Sequence, residues 1–172
     1  MFPTKILLHK IDKRYIRDAI PISIYKMSCS SMLCIPVKSS SPKKIREELS
    51  RMALYFKREC HNGLQYHHDS HHTIQTGYLF VNEHEENREI FGGCVFSDQF
   101  TTFENVTLNQ QKWWLDWIWI HPWYRNMGIF KIFVESFAKK NHPGFLLEKP
   151  LSRRMAQIDE KNKIDGRYAL GL

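Results

Sequence analysis

One segment constrains the fold more than any other. It reads Leu115-Asp116-Trp117-Ile118-Trp119-Ile120-His121-Pro122-Trp123-Tyr124-Arg125-Asn126-Met127-Gly128-Ile129-Phe130-Lys131. Trp113 to His121 are dense in Trp and Ile, residue types that fit a pleated, buried surface, and predict a central strand. Pro122 has no ladder donor and closes it. The apolar spacing of Ile129, Ile132, Phe133 and Phe137 predicts a helix over 126–140, broken by His142-Pro143-Gly144. A buried strand that turns tightly into a helix opening near a glycine is suited to hold an anion. The first N–H groups of such a helix lack intrahelical acceptors and lie at the positive end of its dipole. Gly128 lets a phosphate approach the backbone, and Arg125 adds charge beside it.

The flanking sequence supplies the other layers. Met32 to Val37 read as a strand. Ser41 is placed to cap and Pro42 to start a helix over 42–59, with Ile45, Leu49, Met52, Ala53 and Phe56 on its apolar face. Thr73 to Val81 and Glu89 to Ser97 read as two strands joined by a charged turn, and Gly92-Gly93 marks a bulge or a close backbone approach. Phe100 to Gln111 reads as a loop. Phe145 to Glu148 gives a short strand, and a last helix starts at Leu151. A weak helical pattern covers Lys13 to Ile20. Strict alternation along Trp113 to His121 sends Trp113, Trp117 and Trp119 to one face and Trp114 to the other. It also puts Asp116 on the face of Ile118 and Ile120. The order predicts an α/β (α+β) architecture with a mixed sheet.

The chain has 172 residues, enough for one domain with a substantial core. An apolar fraction of 42% excludes wholesale disorder. No run approaches the roughly 18 apolar residues of a membrane span, so no membrane partner is expected. Ile6-Leu7-Leu8 is too short for a signal-peptide core, which predicts a cytoplasmic chain. Four scattered cysteines argue against a secreted disulfide framework. The formal charge of +7 is uneven. Residues 1–59 carry 13 basic and 5 acidic side chains, residues 60–120 carry 2 and 8, and residues 121–172 carry 10 and 5. That layout suits an anionic ligand, with nucleic acid or an acidic protein as further partners, or a merely solvated basic surface.

The segment that opens this section resembles the signature of the GNAT superfamily of acyl-CoA-dependent N-acyltransferases. That signature is a strand ending apolar-x-apolar-x-Pro, then x-[RQ]-x-x-G-x-[GA] entering a helix. Ile118, Ile120, Pro122, Arg125 and Gly128 match in type and spacing, and Phe130 stands where the last small residue is usual. The Trp-Ile-His-Pro-x-x-Arg-x-x-Gly-Ile run also looks like the corresponding segment of cohesin acetyltransferases. The resemblance covers roughly residues 31–160. It implies a mostly antiparallel central sheet flanked by helices, with splayed central strands. It also implies a GNAT-like domain over 29–172, with residues 1–28 as an extension packed on it.

For function, the resemblance implies transfer of acetyl from acetyl-CoA to a primary amine, on a protein lysine or a small molecule. Pantetheine would run along the backbone of Ile118, Trp119 and Ile120. The pyrophosphate would meet Arg125 and the N–H groups of Asn126, Met127, Gly128, Ile129 and Phe130. Direct attack by a neutral amine needs a proton acceptor, oxyanion donors and a proton for the leaving thiolate. Asp116 and Glu148 are the candidate acceptors. The tyrosine acid common in the family after the next strand has no counterpart between Phe145 and Lys163, and Ser152 and Tyr168 are the nearest hydroxyls. The alternatives are a non-catalytic GNAT-like binding module, or an enzyme acting on nucleic acid or a nucleic-acid-bound partner.

A second constellation lies in the connector over 60–73. If helical, His67 and His71 form an i,i+4 pair able to grip a metal, with Cys60 as a further ligand. The spacing matches no zinc-finger pattern, so no metal is expected. A polar loop over the cleft mouth, able to touch substrate, is the alternative.

Overall fold

Helix α1, Lys43–Cys60, forms where the 3.6-residue spacing predicts it. Its buried stripe is Ile45, Leu49, Met52 and Ala53, while Lys43, Lys44, Glu47, Lys57 and Arg58 face water. The Pro42 carbonyl accepts from the amides of Ile45 (2.9 Å) and Arg46 (3.2 Å). Ser41 does not cap this helix in the expected way. Its hydroxyl accepts from the Lys38 amide at 3.0 Å, closing the preceding turn instead. The computed structural model describes residues 9–12, 20–22, 31–60, 75–83, 88–103, 106–147 and 153–163.

The strands are β1 (His9–Lys10), β2 (Ile20–Ile22), β3 (Ser31–Val37), β4 (Gln75–Glu83), β5 (Arg88–Phe103), β6 (Val106–Ile120) and β7 (Leu146–Leu147). Among the described residues they form one seven-stranded sheet in the order β2-β3-β4-β5-β6-β7, with β1 pairing with β5. Every pairing is antiparallel except that of β6 with β7. Two pieces of the first 28 residues are thus strands of the same sheet. Ile20 of the expected N-terminal helix begins β2, and residues 13–19 lie outside the described residues.

Phe100 to Gln111 is not a loop among the described residues. β5 runs on to Phe103, and β6 starts at Val106. Thr101, Thr102, Val106 and Thr107 are β-branched, and that stiffness favours extended backbone despite the polar neighbours. The pairing skips from Phe100↔Gln111 to Thr101↔Leu108, so Asn109 and Gln110 bulge out of the ladder.

Two cores flank the sheet. On one face α1 packs on Leu33, Ile35, Val37, Leu79, Val81, Val95, Trp117 and Trp119. On the other, Phe80, Phe91, Phe96, Leu115, Phe133, Phe137 and Phe145 form an aromatic core. Its covering helix, α2, is continuous through Ile129–Phe133, a wider π-type stretch at Val134–Ala138, and Lys139–Asn141. The predicted break at His142-Pro143-Gly144 ends it. The last helix, α3, spans Arg153–Asn162.

Candidate functional site

The site starts from a change of register in β6. Val95 pairs with Trp117 and Phe96 pairs with Leu115, so Asp116 is an extra residue opposite none. A bulge of this kind shifts the alternation by one. Trp113 and Leu115 before it, and Ile118 and Ile120 after it, all belong to the α2 face. Trp117 and Trp119 belong to the α1 face. The expected common face for Trp113, Trp117 and Trp119 is therefore corrected. Asp116 accepts a hydrogen bond from the Ser97 hydroxyl at 2.5 Å. Sequence alone carries no signal for this bulge, because Asp116 fits the unbroken alternation.

β7 joins β6 at the same place. The parallel pairing is Trp114↔Leu146 and Leu115↔Leu147, and among the described residues it goes no further. On its opposite edge β6 stays paired with β5 through Ile120, down to Gly92. Gly92 and Gly93 hold the β5 side close. A Cβ on Gly92 would lie 2.5 Å from the Trp119 carbonyl oxygen, and one on Gly93 would lie 2.9 Å from that of Tyr78. The close approach expected of Gly92-Gly93 is the observed one. The neighbouring bulge is at Phe91, whose carbonyl accepts from the His121 amide at 2.7 Å.

The turn after β6 is a short 3-10 segment, Pro122–Tyr124. His121 is buried, and its Nδ1 accepts from the Trp123 amide at 3.3 Å. Tyr124 stacks on Phe91 with ring centres 4.5 Å apart, and its hydroxyl accepts from Asn82. The helix expected from Asn126 starts instead at Ile129. Asn126 and Gly128 adopt left-handed backbone, with φ of 67° and 75°, and helical continuity is impossible there. Gly128 is the residue before α2, and nothing lies within 4 Å of where its Cβ would be. Its glycine identity answers to the positive φ, and the open space beside it is free for a ligand. Phe130 and Ile129 both turn their side chains into the aromatic core, so the bulky residue does not crowd the turn. Trp123 is 71% exposed and Met127 41% exposed on the rim.

Arg125 has the most defined surroundings. Its Nε donates to the Ile120 carbonyl at 2.7 Å. Its two terminal nitrogens donate to the two carboxylate oxygens of Glu59 at 2.5 and 2.6 Å. Trp119 Nε1 also donates to Glu59, at 2.9 Å. Burial alone would raise the Glu59 pKa, but the hydrogen bonds from Arg125 and Trp119 outweigh it and hold the carboxyl below its usual range. Glu59 escaped the sequence reading: on the helix it is one more charged residue off the apolar face. A carboxylate in the last turn, against the helix dipole, was the available signal.

The remaining candidates separate from this site. Glu148, Ser152, Tyr168, His67 and His71 lie outside the described residues. Cys60 is exposed at the end of α1, and no group of metal-holding side chains occurs among the described residues. Cys34 and Cys94 are buried, and burial pushes both thiols well above their usual range, so they are inert at neutral pH. No helix among the described residues is long and apolar enough to cross a membrane.

No family model matches the chain, and no curated protein sequence does. Solved structures do. The xEco2 acetyltransferase domain superposes with a TM-score of 0.54 at 12% identity, over 84% of this chain and 91% of that one. The fold is GNAT-like. The same xEco2 domain bound to a CoA conjugate matches with a TM-score of 0.51 at 13% identity, over 78% of this chain and 86% of that one.

Proposed function

We propose that the chain is an acetyl-CoA-dependent N-acetyltransferase. The observation that carries the reading is the open, left-handed turn at Asn126 and Gly128, set between the end of β6 and the first amides of α2. Amide-rich pantetheine can pair with a strand edge by backbone hydrogen bonds, as in strand addition. The backbone of Ile118, Trp119 and Ile120 would offer that edge. The amides of the turn and first helical residues, from Asn126 to Phe130, would take the pyrophosphate. The GNAT-like fold shared with an acetyltransferase domain, one structure of which holds a CoA conjugate, supports the same reading.

The reaction is a direct transfer. The lone pair of a neutral primary amine attacks the thioester carbonyl, a C–N bond forms, and the C–S bond breaks. The proton lost by the amine passes to a base, and the thiolate takes up a proton as it leaves. Asp116 is our candidate base, acting through water, because it is an ionisable side chain at the β6 bulge, next to Leu115, which pairs with Leu147 of β7. Its hydrogen bond from Ser97 orients the carboxylate. Asp116→Asn should lower turnover about a hundredfold, within the range of a general base, with CoA affinity unchanged.

Titration calorimetry with CoA tests the reading. The wild type should bind in the micromolar to millimolar range, and Gly128→Glu should abolish binding by placing bulk and negative charge in the turn. A wild type that binds neither CoA nor acetyl-CoA would refute the proposal. A screen of amine acceptors with labelled acetyl-CoA then identifies the class of acceptor.

A further inference from the structure

We infer that Arg125 is a positioning residue rather than a phosphate ligand, and that Glu59 is its fixed partner. Together they brace the turn of the proposed phosphate site against the end of α1. The inference rests on the CoA-binding reading above and assigns roles within it.

The argument begins with the donors of the guanidinium. A guanidinium matches a carboxylate or a phosphate best by its two-nitrogen edge. In Arg125 that edge is taken by both oxygens of Glu59, and Nε is taken by the carbonyl that ends β6. A phosphate could use the same edge only by displacing Glu59. Trp119 fixes Glu59 from a third direction, and Tyr55 of α1 packs on the Trp119 ring at 5.1 Å between centres. The guanidinium carbon sits 6.0 Å from the Trp119 ring centre. The network thus joins the last turn of α1, the last residues of β6 and the turn that leads to α2.

Direction matters as much as distance. Trp119 belongs to the α1 face of the sheet, while Ile129 and Phe130 belong to the α2 face. Arg125 therefore reaches back toward α1, away from the first turn of α2. Glu59 stands where a helix dipole disfavours a carboxylate, and an ionised partner offsets that cost. Both side chains are about one-third exposed, at 28% and 31%, so replacing them removes a brace without opening the core. On this view the backbone amides bind the phosphates and the ion pair fixes their geometry.

Glu59→Gln separates the two roles of Arg125. A freed arginine that binds phosphate directly would hold CoA as well as before or more tightly. A brace that has lost its charge partner should weaken CoA at least tenfold. Pantetheine, which has no phosphate, should bind Glu59→Gln as it binds the wild type. The charge-swapped pair, Glu59→Arg with Arg125→Glu, should recover part of the CoA affinity that Arg125→Glu alone loses. Unchanged or tighter CoA binding by Glu59→Gln, equal loss of both ligands, or no recovery in the swap overturns the inference. If the wild type binds no CoA, the function reading fails, and denaturant unfolding of the same variants decides the brace. Coupling between positions 59 and 125 supports it, and additive losses overturn it.

Discussion

The two faces of the sheet handle their polar groups in opposite ways. Under α2 the core is aromatic and sealed, yet it encloses a histidine. His142 is buried, stacked on Phe96 at 4.1 Å, edge-on to Trp113, and 2.9 Å from the Tyr78 hydroxyl through Nε2. Its Nδ1 is buried and has no hydrogen-bond partner among the described residues. Under α1 the core is mostly aliphatic with two tryptophans, and the charged pair Glu59–Arg125 sits at its rim. The difference teaches where each face can tolerate charge. On the α2 face burial favours the neutral form of the histidine. At the rim of the α1 face the hydrogen bonds from Arg125 and Trp119 favour the ionised form of the carboxylate.

The largest expected effect tests how tightly the aromatic face is packed. Phe133 is fully buried, with Phe80 and Phe137 at 4.9 and 5.3 Å between ring centres. Phe133→Ala should cost about 3–5 kcal/mol of stability, from lost burial plus the cavity left behind. Denaturant unfolding measures it. A cost below about 1 kcal/mol would mean that the face collapses readily and is not the rigid half of the molecule.

The next effect is the acid sensitivity of His142. Burial pulls its pKa down from 6.5 to about 4. The unfolded chain therefore binds this proton more readily than the folded one, and stability falls as pH drops from about 6.5 toward 4. The loss should total about 2–4 kcal/mol across that window, since one pKa unit corresponds to about 1.4 kcal/mol. His142→Phe keeps a ring against Phe96 and removes the titration, so it should flatten stability over this range. A wild-type profile already flat between pH 6.5 and 4 would break the contrast between the faces.

Much of this was legible, and the gaps have physical causes. α1, the hairpin strands, the central strand and the break after α2 follow from apolar periodicity and from Pro and Gly, signals that are local. Ile118, Ile120, Pro122, Arg125 and Gly128 carry the GNAT resemblance by type and spacing. The Asp116 bulge was not legible, because a one-residue register shift depends on the partner strand. That single shift moved Trp113 away from Trp117 and Trp119. The Thr-rich extension of β5 and β6 was missed because polar composition masked β-branched stiffness. The partner of Arg125 was missed because Glu59 is distant in sequence and is brought to it only by packing of α1 on the sheet.

Glu59 gives the α1 face its own pH limb, in a lower window than that of His142. Its folded pKa lies below the usual 4.5, so its contribution is present above that value and is lost as pH falls through the depressed one. Glu59→Gln should remove only the Glu59 share of the acid destabilisation, which lies below pH 4.5, leaving the His142 limb between about pH 6.5 and 4 unchanged. Unfolding at a series of pH values, on each single variant and the pair, reads both limbs. If Glu59→Gln alters the profile between pH 6.5 and 4.5, the two faces are coupled rather than independent.

The smallest effect is expected where charge lies outside both cores. Lys131 and Glu135 on α2 form an i,i+4 pair at 3.8 Å, with side chains 59% and 57% exposed. Water screens such a pair, and holding two long side chains in one geometry costs entropy. Lys131→Ala should therefore shift stability by no more than about 0.5 kcal/mol. The same residue is only three positions past Gly128, which makes it a control for the proposed site. If the phosphates are held by backbone amides, removing this exposed charge should weaken CoA only modestly and mainly at low salt. A loss as large as that of Glu59→Gln would mean that overall positive charge, not the geometry fixed by the α1 brace, governs binding at the turn.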